Sequence, residues 1–101
     1  MVTEELKCYI RHSQENDRFN YSANALKRIL KSAGGWKKDW LTVFMLILAR
    51  IKKGYGTQDG ANTTGRVVAL PVDKARCMEV FFTPQPEKRY LIYDFKIYKR
   101  K

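Results

Sequence analysis

The chain has few side chains that could do bond-making chemistry. Among 101 residues there is one histidine, His12, and two cysteines, Cys8 and Cys77. Zinc sites take four Cys/His ligands, or three plus a water. Three such residues with no C-x-x-C pair argue against a zinc site. A lone imidazole also excludes H-E-x-x-H and any chemistry that needs paired histidines. Asp73 with Asp94-Phe95-Lys96 has the outward form of the two carboxylates and lysine that hold Mg²⁺ in metal-dependent nucleases. That spacing is short and common by chance. Gly54-Tyr55-Gly56 after Lys52-Lys53 lacks G-x-x-x-x-G-K-[ST] and follows a helical pattern rather than a strand. Gly34-Gly35-Trp36-Lys37 is not the GXXG of a KH domain. The expectation is therefore no cofactor, no metal and no assignable catalytic residue.

What the sequence offers instead is charge. Lys plus Arg number 20 against 10 Asp plus Glu, a net +10 with a pI near 9.8. The excess is uneven: residues 1–34 are net +2, 35–54 net +4, 55–86 neutral and 87–101 net +4. It therefore gathers at the two ends of the third predicted helix and along the last predicted strand. Lys37 and Lys38 fall at a helix start, where a cation opposes the dipole by ~0.3–1 kcal/mol. A bound phosphate would relieve that repulsion, with free amides after Gly34-Gly35 as its donors.

The elements that must carry these residues follow from periodicity. Val2–His12 reads as a helix, with Thr3 as cap, Glu4 and Glu5 in its first turn, and Leu6 and Ile10 on its apolar side. Ser13–Asn20 reads as a loop. Ser22–Ala33 is a second helix capped by Ser22 and ended by Gly34-Gly35, with Leu26, Ile29, Leu30 and Ala33 buried. Trp36–Lys53 is a third, apolar nearly all round, and so expected to be the central core element. Residues 55–65 read as a mobile Gly-rich loop. Strands over roughly Arg66–Val72, Arg76–Thr83 and Arg89–Tyr98 have short connections that favour an antiparallel meander. The expected fold class is α+β, αααβββ: three N-terminal helices packed on a three-stranded antiparallel sheet. It is one domain over 1–101, with a helical half (1–54), the loop (55–65), the sheet (66–98) and a basic tail (99–101).

In the last strand, alternation places Leu91, Tyr93, Phe95 and Ile97 on the core and Tyr90, Ile92, Asp94, Lys96 and Tyr98 on the other face. An exposed face of tyrosines beside cations suits single-stranded nucleic acid, because bases stack on rings while phosphates pair with charge. The candidate nucleic-acid contacts are Lys37, Lys38, Lys52, Lys53, Arg89, Tyr90, Lys96, Tyr98 and Lys99. The expected function is non-enzymatic binding of RNA or single strands before duplex DNA. One alternative is a small effector, of viral, phage or mobile-element type, docking an acidic protein surface.

A third reading is a metal-independent ribonuclease. In outline the chain resembles small basic toxin nucleases, with leading helices before an antiparallel sheet. That resemblance implies His12, Glu79, Arg89, Tyr90, Lys96 and Tyr98 as the residues to inspect. A winged helix competes less well, because the third helix lacks the exposed polar face of a recognition helix. Its apolar run is also too short to span a bilayer. With no signal-peptide pattern at the start, both cysteines are expected as reduced thiols in a cytoplasmic or nuclear protein. Homodimerisation through the last strand is a further expectation, since edge strands invite pairing.

Overall fold

The computed structural model describes residues 2–100. Met1 and Lys101, the last residue of the basic tail, lie outside the described residues. Among those described, the order is α1 (Val2–Asn16), β1 (Phe19–Tyr21), α2 (Ala23–Ala33), α3 (Lys38–Lys52), β2 (Thr57–Asp59), β3 (Asn62–Pro71), β4 (Arg76–Gln85), a 3-10 turn (Pro86–Lys88) and β5 (Arg89–Lys99). The class is α+β, with three helices on one mixed sheet ordered β1-β5-β4-β3-β2. The predicted meander is β3, β4 and β5. The sheet is nevertheless wider than three strands. Phe19 and Asn20, expected as loop, join Tyr21 in a strand that pairs parallel with Tyr90–Ile92, and Thr57–Asp59, expected as mobile loop, pairs antiparallel with the first half of β3. Both are three-residue edge strands, too short to show a period-2 pattern.

The buried positions depart in part from the expected stripes: α1 runs past His12 to Asn16, through residues expected as loop, and Leu26 and Leu30 of α2 are only partly buried. Leu6, Ile10 and Ser13 are buried on α1, and Ala25, Ile29 and Ala33 on α2. Ser13 sits in the core because its hydroxyl donates to the Ile10 carbonyl at 2.7 Å and shares a 2.7 Å bond with Tyr21 Oη, so no polar atom is left unpaired. Ser22 caps α2 as predicted, accepting from the Ala25 amide at 3.0 Å. On α3, Trp40, Leu41, Phe44, Ile47, Leu48 and Ile51 are buried. The helix is not covered all round, however: Met45 is 41% and Leu46 52% exposed, forming with Thr42 and Ala49 an outward ridge. The core joins these helix faces to Val68, Met78, Val80, Phe82, Ile92 and Phe95 of the sheet.

The alternation expected along β5 fails at one residue. Phe82 stands opposite Ile92 while Phe81 stands opposite Asp94, so Tyr93 is an extra residue, a β-bulge. Parity flips there. Phe95 and Ile97 face the helices as predicted, but before the bulge it is Tyr90 and Ile92 that do so, with Ile92 fully buried. Tyr93 points to the helix-free face, against Phe81 at 6.2 Å between ring centroids. Its hydroxyl donates to Asp59 Oδ2 at 2.5 Å, clasping β2. A Cβ on Gly65 would collide with that hydroxyl, so this position is glycine for want of space. Nor is β5 an edge strand over Tyr90–Ile92, which β1 pairs, so the expected route to a dimer through the last strand is occupied there.

Candidate nucleic-acid interface

The two ends of α3 lie at opposite ends of β5. Near its C-terminus, Lys52 lines a cleft with Tyr90. Near its N-terminus, Trp36 packs on Phe95 and Trp40 lies under Arg76, whose strand partner is Lys99. The nine predicted contacts therefore divide. Lys52, Lys53, Arg89 and Tyr90 share one end. Lys37, Lys38, Tyr98 and Lys99 share the other, ~30 Å away along β5. Lys96 stands between them on the helix-free face.

That face is not electropositive. Lys96 is opposite Glu79 in the ladder and lies 5.2 Å above the Phe81 ring. Its charge is shared with Glu79 and Asp59: it helps hold Asp59 below the ordinary carboxylate range, after the Tyr93 and Ala61 hydrogen bonds, and offsets the rise that burial causes in Glu79. At the α3 N-terminus, the amides of Gly35 and Trp36 are spent on the carbonyls of Ser32 and Ala33, so they are not the free donors expected after Gly34-Gly35. Lys37 caps the helix with no side-chain bond, while Asp39 supplies an acid in the first turn. Asp73 accepts from the Ala75 and Arg76 amides, and Asp94 from Arg28 and the Phe95 amide. The nuclease-like set is thus divided between a turn and the bulge. Of the residues the ribonuclease outline implied, His12 is on α1 against Asn16 Nδ2, Glu79 and Lys96 are on the helix-free face, and Arg89 and Tyr90 are at the start of β5.

The end that holds Tyr90 is built differently. Tyr90 is half-buried, stacked on Phe19 at 5.1 Å and edge-on to Phe82 at 6.2 Å. It forms a wall common to two clefts. One, of ≈ 370 Å³, is lined by Asn16, Asp17, Arg18, Lys52 and Lys88. The other, of ≈ 230 Å³, is lined by Ile51, Gly54, Tyr55, Arg66, Phe82 and Pro84. Lys52 Nζ donates to Asp17 Oδ1 at 2.8 Å, Arg18 to the Glu87 carbonyl at 2.8 Å, and Arg66 to the Gly56 carbonyl at 2.7 Å. Arg50 lies 5.8 Å over the ring of Tyr55, which is 58% exposed. The local carboxylates, Asp17 and Glu87, are each already beside a cation. Sequence reasoning missed Arg18, Arg66 and Lys88 here. Lys88 had a signal in the basic final segment, and Tyr55 in the Lys-Lys-Gly-Tyr-Gly run set aside as loop. Arg18 had none.

Backbone strain marks the same place. Arg18, Glu87 and Lys88 have φ of 61°, 63° and 58°, the positive-φ non-glycine residues among those described. A left-handed L-residue costs roughly 1–2 kcal/mol, and glycine or asparagine would be the cheap occupant. Arg18 and Lys88 each stand immediately before one of the paired parallel strands, β1 and β5, with the Tyr90 amide donating to the Arg18 carbonyl at 3.1 Å.

Fold and surface together define a small α+β protein with a cationic, aromatic-lined end. Searches of protein-family models, of curated proteins and of solved structures return no match to this chain.

Proposed function

We propose that the protein binds nucleic acid, RNA or single strands before duplex DNA, and that the end around Tyr90 is its principal contact. The observation that carries this is the gathering of Arg18, Lys52, Arg66 and Lys88 around clefts walled by Tyr90 and Tyr55, with Arg89 beside Arg18 in a neighbouring cleft. Cations placed on phosphates release condensed counterions, and exposed rings supply stacking that any base can use. Five phosphate contacts predict a slope of log affinity on log salt near −3.5 for a single strand, from ~0.7 per contact. The test is fluorescence anisotropy with labelled single-stranded RNA, single-stranded DNA and duplex DNA over a salt series, each probe run on a gel afterwards. Lys52→Ala with Arg66→Ala should weaken binding and flatten the slope by ~1.4. No binding near physiological salt would overturn the proposal, and shortened probes would move it to the ribonuclease reading.

A second reading rests on α3. Its ridge of Thr42, Met45, Leu46 and Ala49 is exposed between Lys38 and Lys53, an apolar strip with a cation at each end. That pattern suits an acidic amphipathic protein partner. The same salt series separates the two, because an apolar interface survives salt that strips phosphate contacts.

A further inference from the structure

The two clefts that Tyr90 lines differ in chemistry in a way that matches the two halves of a nucleotide. One is cationic, with Arg18, Lys52 and Lys88. The other is apolar and aromatic, with Ile51, Tyr55, Phe82 and Pro84, and Arg66 at its rim. Its ≈ 230 Å³ lies below the ~300–1,000 Å³ usual for ligand pockets, which favours one ring system over a larger group. We infer that this end takes one unstacked nucleotide across Tyr90, its phosphate among Arg18, Lys52 and Lys88 and its base in the cleft beside Tyr55 and Pro84.

This deepens the nucleic-acid reading and rests on it. A duplex keeps its bases inside the stack, so only a single strand, a loop or a strand end can fill the second cleft. In the phosphate half, Arg18 is held before binding by its bond to the Glu87 carbonyl, and the left-handed turn at Lys88 sets where its exposed side chain leaves the backbone. Lys52 is the exception. Asp17 already holds it at 2.8 Å, so a phosphate must compete with that carboxylate. Asp17 thereby becomes a built-in brake on affinity.

The experiment uses the full chain and a labelled single-stranded ten-nucleotide RNA. The competitors are the same backbone with abasic sites, the matched duplex and adenosine 5′-monophosphate. The base-bearing strand should bind at least ~5-fold tighter than the abasic one, and Tyr55→Ala should erase that difference. Tyr55 is exposed, so this variant spares the core. Lys88→Gly relieves a left-handed residue, so its expected loss of binding with a retained or raised melting temperature cannot be unfolding. Asp17→Asn should tighten binding. Displacement by the monophosphate supports the free nucleotide as a ligand of the same cleft; base dependence without displacement supports the strand. Equal binding of base-bearing and abasic strands overturns the inference yet leaves nucleic-acid binding standing. Failure of every probe to bind overturns both.

Discussion

Tyr93 shows how one side chain ties the sheet together. Burial first, and then the bond to Asp59, push its phenol up to about 12, from an ordinary value near 10. Asp59 moves the other way, held low chiefly by the same hydrogen bond. The signs define a window. A raised phenol contributes stability that is fully present below ~10, where an unfolded tyrosine begins to ionise, and lost as pH rises through about 12. A lowered carboxylate contributes stability present above ~3.9 and lost as pH falls. The clasp on β2 is therefore intact between those limits. Amide hydrogen exchange of Thr57–Asp59 should stay protected across neutral pH and open in alkali. Tyr93→Phe should raise exchange there several-fold at neutral pH and remove one tyrosine's amplitude from the late phenolate absorbance at 295 nm, to which Tyr21, pushed up by its own burial, still contributes. Unchanged exchange in that variant would mean that β2 is held by its backbone ladder alone.

At the scale of elements, the bulge decides which side of β5 does what. Ile92 is fully buried while Leu91 faces away from the helices, the reverse of strict alternation. Ile92→Ala should therefore cost ~2–5 kcal/mol in denaturant unfolding, and Leu91→Ala much less. Similar losses from both would return the strand to the simple pattern. Helices were legible because three or four turns repeat a 3.6 period, and Ser22 announces α2 by its cap chemistry. The strands β3, β4 and β5 were legible from length and turn residues. A single inserted residue leaves no trace in a period-2 pattern, so Tyr90 and Tyr93 exchanged faces between expectation and structure. The short β1 and β2 carry no period at all; what places them is tertiary, the Tyr93–Asp59 bond at one edge and the parallel pairing of Phe19–Tyr21 at the other. The site was legible as charge in Lys52, Lys53 and Arg89, but not as a place. Arg18 and Arg66 join it only through the fold.

For the molecule as a whole, charge is arranged as two cationic ends with a mixed face between them. The chain measures 34 × 33 × 23 Å, and the ends are ~20 Å apart along α3 and ~30 Å along β5, more than twice the ~8 Å screening length at physiological salt. The ends must then act independently on a short ligand and together only on a long one. Lys37→Ala with Lys38→Ala should leave the affinity for a three-nucleotide strand, too short to reach both ends, nearly unchanged. Neither lysine makes an ion pair or side-chain hydrogen bond among the described residues, and removing cations from a helix start favours the dipole by ~0.3–1 kcal/mol each, so the fold should hold or gain. The same double variant should lose affinity for strands long enough to reach both ends. Lys52→Ala with Arg66→Ala should weaken short and long strands alike. An anisotropy series over strand length, run on both double variants at one salt, makes the comparison. If the Lys37 and Lys38 changes weaken the short strand as much as the Lys52 and Arg66 changes do, affinity follows net charge. The geometry around Tyr90 would then have no special part in it.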